Sequence, residues 1–194
     1  SRNVTYLGDD FPVFWEEARG ANVRDADGNV YIDLTAAFGV ALMGHGAPVI
    51  GEAVVAQAER LVHGMGDVHP PEVKVRLLEA LTRVVAGSGI WSTGTPSARG
   101  RRRQPPPPVP DEPRAVLANS GSEAVEIALK TAALASGRSG VLAFQGGFHG
   151  RTVATLAATG QPAKHEPFAP MPDGFRHVAW GDLDAMRSAV DGSV

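Results

Sequence analysis

Residues 116–151 read VLANSGSEAVEIALKTAALASGRSGVLAFQGGFHGR and decide the fold. A β-prone run at 116–118 ends in a turn of small residues, a helical segment follows, and a second apolar run occupies 141–144. Strand, helix and strand in this order predict one βαβ unit with parallel strands and a right-handed crossover. The helix carries small residues spaced three and four apart, which predicts close packing on a sheet (Ala124, Ile127, Ala128, Thr131, Ala132, Ala135).

The turn before this helix is a candidate anion site. Gly121 lets a ligand approach the backbone, and the Ser122 hydroxyl can either cap the helix or bind that ligand. Free N–H groups and the helix dipole at the same place favour a phosphate. A plain helix cap is the alternative interpretation. Glu123 follows Ser122 directly instead of three residues later, so no capping box is predicted around Ser122.

The loop after the second strand, residues 146–151, reads GGFHGR. It follows the carboxyl end of a strand, which is the edge where open α/β sheets bind ligands. Glycines on both sides of Phe148 and His149 suggest an aromatic ring held ready to stack on a flat molecule. A phosphate-binding turn and a stacking ring on neighbouring loops indicate a planar phosphorylated cofactor.

Two blocks of the sequence resemble one known family. The motif NSGSEAVE, followed at this distance by FQGGFHGRT, resembles the class III aminotransferases, which are pyridoxal-phosphate (PLP) enzymes of fold type I. The group includes the acetylornithine, ornithine and 4-aminobutyrate aminotransferases. Residues 20–34, GANVRDADGNVYIDL, resemble the N-terminal hairpin of the family at the right distance upstream.

The resemblance covers nearly all of the chain except residues 86–113, but only about the first half of a family member. It implies an α/β fold, namely the N-terminal half of a fold type I PLP-dependent transferase. That half holds part of the large-domain sheet with flanking helices, plus an N-terminal hairpin of the small domain. The implied parts are an N-terminal segment and hairpin of the small domain (1–35), a pocket loop and helices (36–85), an Arg/Pro-rich insertion (86–113) and the first part of the PLP-binding large domain (114–194).

Local patterns predict further elements. Turn residues at 26–29 between β-prone runs predict a hairpin, and residues 35–46, small and apolar, predict a buried loop. The insertion combines proline with like charge, which predicts a disordered or polyproline-like excursion of unknown purpose. The remaining expected elements are a β-prone run at 11–15, helices at 48–62, after 70–71, at 151–158 and at 183–190, and a strand at 175–180.

The resemblance also implies roles for five residues. Gly121 and Ser122 would hold the cofactor phosphate, and Phe148 would stack on the pyridine ring. Arg151 would bind a substrate carboxylate, because a guanidinium forks onto a carboxylate; a surface ion pair is the alternative. Phe38 would line the substrate pocket, with a place in the core as its alternative.

No catalytic residue is assigned, because the family's lysine has no counterpart in this chain. Transamination needs an amine that forms a Schiff base with the cofactor aldehyde and then moves a proton. The lysines here are Lys74, Lys130 and Lys164, and none stands far downstream of the FHG loop as in the family. The aspartate that pairs with the pyridine nitrogen on a later strand is also missing.

The expected function is therefore that of a PLP-dependent transaminase, here as a fragment lacking the Schiff-base lysine and inactive alone. The whole enzyme would move an amino group from an amino acid or ω-amine donor to a 2-oxo acid, and the family implies a homodimer. An aminomutase or racemase of the same family is one alternative. A non-catalytic remnant or binding module, using the anion-binding turn or the arginines of the insertion, is the other.

Composition excludes several classes of function. The net charge of the 194 residues is −3, so no basic field favours nucleic acid or an anionic membrane surface. Without cysteine there can be no disulfide, thiolate zinc site or cysteine nucleophile. His63 and His69 lack the spacing and the further ligands of a metal site. No apolar run approaches the roughly 18 residues of a membrane span and no signal peptide is seen, so a cytoplasmic protein is expected.

Overall fold

The computed structural model describes residues 13–66, 68–88 and 113–194. The described residues fall into two compact units, divided between Glu72 and Val73. The predicted Arg/Pro-rich insertion falls almost wholly outside the described residues, as do positions 11 and 12 of the β-prone run at 11–15. The finer division of the chain into four parts stays a prediction.

The first unit is built on a three-stranded antiparallel sheet in the order β1 (Trp15–Arg19), β2 (Asn22–Asp25) and β3 (Val30–Ile32). The hairpin predicted from the turn at 26–29 is confirmed as β2–β3. Its turn is organised by the buried Asp25 carboxylate, which accepts hydrogen bonds from the Asn29 N–H at 2.8 Å and the Tyr31 hydroxyl at 2.9 Å. These donors stabilise the ionised form, so they hold the pKa of Asp25 below its ordinary value, with the Asn29 side-chain amide as the largest cause.

The segment at 35–46 differs from the expected buried loop. It begins with α1 (Ala36–Gly39), a single turn in which Ala36, Ala37 and Phe38 have φ of 49°, 48° and 57°. Such left-handed residues cannot continue a right-handed helix. The loop is largely exposed, because its large apolar side chains find no packing partner within this unit; Val40 and Leu42 are 87% and 82% exposed.

Two predicted helices follow and are confirmed as α2 (Pro48–Arg60) and α3 (Glu72–Gly87). Pro48 occupies the first turn of α2, where a missing N–H costs nothing. Neither helix contains a buried residue, and apolar side chains such as those of Val54 and Val84 are exposed.

The second unit contains a two-stranded parallel sheet of β4 (Val141–Phe144) and β5 (Phe175–Val178), paired from Val141↔Phe175 to Phe144↔Val178. The helix α4 (Gly121–Ser136) precedes it. The crossover between the strands holds α5 (Val153–Ala158), α6 (Pro162–His165) and the 3-10 turn η1 (Glu166–Phe168). The final helix α7 (Leu183–Ala189), predicted at 183–190, is capped by Asp182, whose carboxylate accepts from the Ala185 N–H at 2.8 Å.

The prediction of a first strand for the βαβ unit, at residues 116–118, is wrong. Residues 116–118 pair with no strand among the described residues. A strand exists only where a neighbour accepts and donates its backbone hydrogen bonds, and a three-residue apolar run does not guarantee one. The parallel pair lies further along the chain, between β4 and β5, and the crossover connects these two strands.

The core of the second unit lies between α5 and the sheet. Its members are short side chains (Ala143, Thr155, Leu156, Ala157, Ala158, Thr159 and Val178). Of the face predicted to pack, Ala124, Ala128 and Thr131 are exposed and Ile127 is half-buried. Ser122 and Glu126 are half-buried as well, and they hydrogen-bond to the segment that leads into α5.

Candidate functional site

The N-terminus of α4 is capped by Ser120, two residues before the serine that the sequence singled out. Ser120 is extended (φ −151°, ψ 160°), and its hydroxyl accepts from the Glu123 N–H at 3.2 Å. The Glu123 carboxylate in turn accepts from the Asn119 N–H at 2.6 Å. This is a reciprocal cap close to a capping box, and its signal was the Ser-x-x-Glu spacing from 120 to 123. A capping box in the strict sense is absent here, as expected, because the Glu123 carboxylate accepts from the Asn119 N–H and not from that of the cap residue Ser120.

The cap leaves the start of the helix open to a ligand. The N–H groups of Gly121 and Ser122 have no acceptor among the described residues. A Cβ added at Gly121 would meet no atom within 4 Å, so the space beside this backbone is free. Exposed N–H groups at the positive end of a 16-residue helix suit an anion such as a phosphate.

Gly150 joins the loop at 146–151 to this turn. Its φ is 132°, and an added Cβ would lie 2.9 Å from Ser122 Cβ and 2.6 Å from Thr155 Oγ1. The Arg151 N–H also points to the Ser122 hydroxyl oxygen at 3.4 Å. The two motifs that the sequence separates by about thirty residues are therefore in direct contact.

Two buried threonines support the loop from behind, and the sequence reasoning missed both. Thr159 Oγ1 accepts from the His149 N–H at 3.0 Å and lies 2.9 Å from the Thr155 carbonyl oxygen, to which its hydroxyl can donate. Thr155 and Thr159 are both fully buried. The available signal was their spacing of four, with Thr155 on the predicted helix at 151–158 and Thr159 directly after it.

Phe148 stands open at the tip of the loop with two cations beside it. Its side chain is 53% exposed. The Arg151 Cζ lies 5.9 Å and the Lys164 Nζ 5.8 Å from the ring centroid, within the range of cation–π attraction. Neither cation has a carboxylate within ion-pair distance among the described residues. An accessible ring with two unpaired cations nearby can receive a flat anionic ligand.

The other sequence-predicted residue, Phe38, lies in the first unit. Its side chain is 98% exposed, so it belongs to no core among the described residues. Asp33 and His45 hold the ends of its loop: Asp33 Oδ2 accepts from the Ala37 N–H at 2.8 Å and lies 2.8 Å from His45 Nε2. A pocket role for Phe38 stays a prediction.

The sequence analysis assigned no catalytic role to the three lysines of the chain. Lys74 lies in α3 and Lys130 in α4, while Lys164 is in α6 beside Phe148. Within the described ranges, no three His, Asp or Glu side chains are grouped to bind a metal ion. Nor does this part of the chain contain a helix both long and apolar enough to cross a membrane.

Comparison with known proteins identifies this chain's relatives. The family model "Aminotransferase class-III" matches residues 5–191. The acetylornithine aminotransferase of Methanothermobacter thermautotrophicus is 36% identical over 179 residues, which are 92% of this chain and 39% of that protein. The acetylornithine aminotransferase of Mycolicibacterium smegmatis is 37% identical over 180 residues, 93% of this chain and 40% of that protein. This chain thus spans well under half the length of these relatives.

Solved structures share the fold. An amine transaminase from an uncultivated Pseudomonas species in its PLP-bound form superposes with a TM-score of 0.72 at 21% identity, over 92% of this chain and 38% of that one. A Bacillus anthracis aminotransferase gives a TM-score of 0.72 at 24% identity, over 96% of this chain and 37% of that one. At these identities the superpositions speak for the fold alone, and they support the expected fold type I architecture.

Proposed function

Because this chain belongs to the class III aminotransferase family, we propose that it forms part of a PLP-dependent transaminase. The whole enzyme moves an amino group from an amino acid or ω-amine donor to a 2-oxo acid. Relatives at 36% and 37% identity are acetylornithine aminotransferases, which makes an N-acetylated ornithine the first donor to test. Family membership also favours a homodimer as the assembled form.

The observation that carries the proposal is the contact between the α4 turn and the 146–151 loop. Gly150 fits against Ser122 only because it lacks a side chain. This contact brings open helix N–H groups and an exposed aromatic ring into one neighbourhood. A ligand that uses both must be anionic at one end and flat at the other, as PLP is.

The residues present fit this cofactor. The Gly121 and Ser122 N–H groups would bind its phosphate, and Phe148 would stack on its pyridine ring. When bound, PLP supplies an aldehyde and an electron-withdrawing ring that stabilises negative charge on the substrate carbon. Arg151 would then hold a substrate carboxylate next to that ring, through a bidentate guanidinium contact.

Magnitudes set the affinity that this chain can reach alone. A helix terminus contributes roughly 0.3–2 kcal/mol toward an anion, and one charge-assisted hydrogen bond roughly 1.5–3 kcal/mol. Two or three such contacts and one stacked ring, less the cost of association, give a dissociation constant of about 1 μM at best. We therefore expect weak, reversible binding.

Titration with PLP, followed by cofactor absorbance and fluorescence, tests the proposal. The variant Phe148→Ala should bind PLP more weakly, whereas Phe168→Ala, which removes another exposed ring, in η1, should not. Pyridoxal, which lacks the phosphate, should bind more weakly than PLP, and inorganic phosphate should compete with PLP. Equal affinities for PLP and pyridoxal, or an unaffected Phe148→Ala variant, would contradict the proposed site.

A second experiment addresses catalysis by this chain alone. We expect no amino transfer from N-acetylornithine to 2-oxoglutarate, because no lysine here is placed to move the substrate proton. Borohydride reduction in the presence of PLP should accordingly label no single lysine, as peptide mapping by mass spectrometry would show. Cofactor trapped on one unique lysine would overturn this expectation.

A further inference from the structure

Glu126 connects α4 to the segment that follows Arg151. Its Oε1 accepts from the Thr152 hydroxyl at 2.7 Å and from the Ala154 N–H at 3.2 Å. The Ala154 N–H belongs to the first turn of α5, where backbone N–H groups lack partners within the helix. The Glu126 carboxylate therefore supplies an acceptor to α5 from a neighbouring helix.

Ser122 and Glu126 form one face of α4, because residues four apart lie above one another on a helix. Ser122 receives the Arg151 N–H, and Glu126 receives Thr152 and Ala154. Among the described residues, these two side chains provide the hydrogen bonds between α4 and the segment 146–158. The contact at Ser122 is long, at 3.4 Å, whereas Glu126 makes two bonds with a charged acceptor, which are the stronger kind.

The threonines behind the loop cannot replace this connection. Thr155 bonds the Thr152 N–H at 3.0 Å, and Thr159 bonds the His149 N–H, so both act within residues 146–159. They fix the internal shape of the loop without attaching it to α4. Its placement against the phosphate-binding turn depends on Ser122 and Glu126.

We propose that Glu126 is a positioning residue, which fixes the Phe148–Arg151 loop against the N-terminus of α4. This inference rests on the proposed function, since it concerns the residues expected to bind PLP. Glu126 itself contacts no ligand in this role. Losing its carboxylate frees the loop as a unit, so the aromatic ring and the guanidinium lose their fixed distance from the phosphate-binding N–H groups.

The experiment compares Glu126→Ala, Glu126→Gln and a control, Asp182→Ala. Glutamine keeps an acceptor oxygen for both donors, so it should rescue most of the effect. Asp182 caps α7 through a single bond of the same kind and bonds no residue of the loop. Hydrogen exchange at residues 148–154, measured by mass spectrometry, reports the loop, and PLP titration reports the site.

In Glu126→Ala we expect exchange at 148–154 to be about tenfold faster, the factor that loss of a carboxylate helix cap gives, with PLP binding weakened to a similar degree. Glu126→Gln and Asp182→Ala should leave both measurements near those of the parent chain. An unchanged exchange rate at 148–154 in Glu126→Ala would overturn the inference. Faster exchange there with unchanged PLP affinity would overturn it as well. A parent chain that binds no PLP would count against the proposed function. The exchange data would still show whether Glu126 fixes the loop against α4.

Thr152→Val guards against a Glu126 variant that fails to fold, because it removes the Thr152–Glu126 bond from the other side, together with the contact between the Thr152 and Thr155 hydroxyls at the start of α5. It should also raise exchange in the loop, while the Ala154 N–H keeps Glu126 as its acceptor. An exchange pattern in Thr152→Val confined to α4 and absent from the loop would also overturn the inference.

Discussion

At the scale of single residues, the strongest constraint on the site falls on Gly150. A Cβ there would overlap Ser122 and Thr155, and φ of 132° disfavours any other residue. We expect Gly150→Ala to destabilise the second unit by about 2–4 kcal/mol and to abolish PLP binding. Thermal unfolding and PLP titration measure the two effects.

Gly121→Ala is the matched control for this substitution. An alanine Cβ at 121 meets no atom of the protein, and the position opens a helix, so stability should stay level or rise by up to about 1 kcal/mol. If a phosphate lies against this backbone, PLP binding should nevertheless weaken. Full PLP affinity in the Gly121→Ala variant would show that the phosphate does not bind at this turn.

Ala37 gives a prediction of the opposite sign. It is the middle of three consecutive left-handed residues, a conformation that costs a residue with a side chain roughly 1–2 kcal/mol. Ala37→Gly should therefore stabilise the first unit by about 1 kcal/mol, measured by urea unfolding. The same change at Ala128, exposed within α4, should destabilise by a similar amount, because that backbone is helical. Loss of stability in Ala37→Gly would show that the left-handed turn is not strained.

At the scale of elements, the register of α4 distinguishes its two serines. Ser120→Ala should cost about 1 kcal/mol, because it removes the acceptor of the Glu123 N–H. Ser122→Ala should cost the helix less and affect the 146–151 loop instead, through the lost contact with the Arg151 N–H. Urea unfolding of both variants checks the order; a larger cost at Ser122 would place the cap two residues later.

The link between β3 and the loop at 35–46 should be sensitive to acid. Asp33 accepts hydrogen bonds from Thr35 and His45, which hold the pKa of its carboxyl well below the ordinary value, Thr35 being the larger cause. A depressed carboxyl pKa stabilises the fold fully above about pH 4 and loses that effect as the pH falls through the folded-state pKa. Stability of the first unit should therefore drop below about pH 4, and Asp33→Asn should reduce this dependence and leave the part that the lowered pKa of Asp25 contributes. Asp27→Asn, on the turn of the same hairpin, should retain it.

Elements with local hydrogen bonds were the predictable ones. The β2–β3 hairpin and helices α2 to α5 and α7 follow from turn chemistry, prolines and apolar spacing within a few residues. The strand expected at 116–118 failed because strand pairing depends on distant residues. The packing face of α4 was misjudged for a similar reason: Ala128 signals close packing only where a sheet covers it, whereas Glu126 faces α5.

The candidate site was predictable in its motifs and less so in its supports. Gly121, Phe148 and Gly150 belong to glycine-rich and aromatic motifs that can be recognised in the sequence alone. Thr155 and Thr159 bond the backbone of the loop, and nothing in the identity of a threonine says which carbonyl or N–H it will meet. Lys164 reaches Phe148 because α6 turns back toward the loop, which is a tertiary effect.

At the scale of the whole molecule, the main feature is that many large apolar side chains are exposed to solvent. In the first unit, Leu34, Phe38 and Leu42 are 91%, 98% and 82% exposed, and helix α2 buries no residue. Exposed apolar area costs about 25 cal/mol per Å², so large apolar side chains exposed to this degree favour association. The structural relatives span more than twice the length matched here, which is consistent with surfaces that further protein covers.

We therefore expect this chain to self-associate and to bind a hydrophobic dye such as ANS. Light scattering after size exclusion, over a range of concentrations, should show a mass above that of a 20.2 kDa monomer, rising with concentration. The double variant Phe38→Ser with Leu42→Ser removes two of the most exposed apolar side chains from one loop, so it should lower both dye binding and apparent mass. Leu134→Ser removes a comparably exposed leucine, 83% exposed, from α4 and tests whether the loop at 35–46 contributes more than any single apolar residue. A monomer of constant mass that binds no dye would mean that these side chains are covered in solution by contacts within the chain itself.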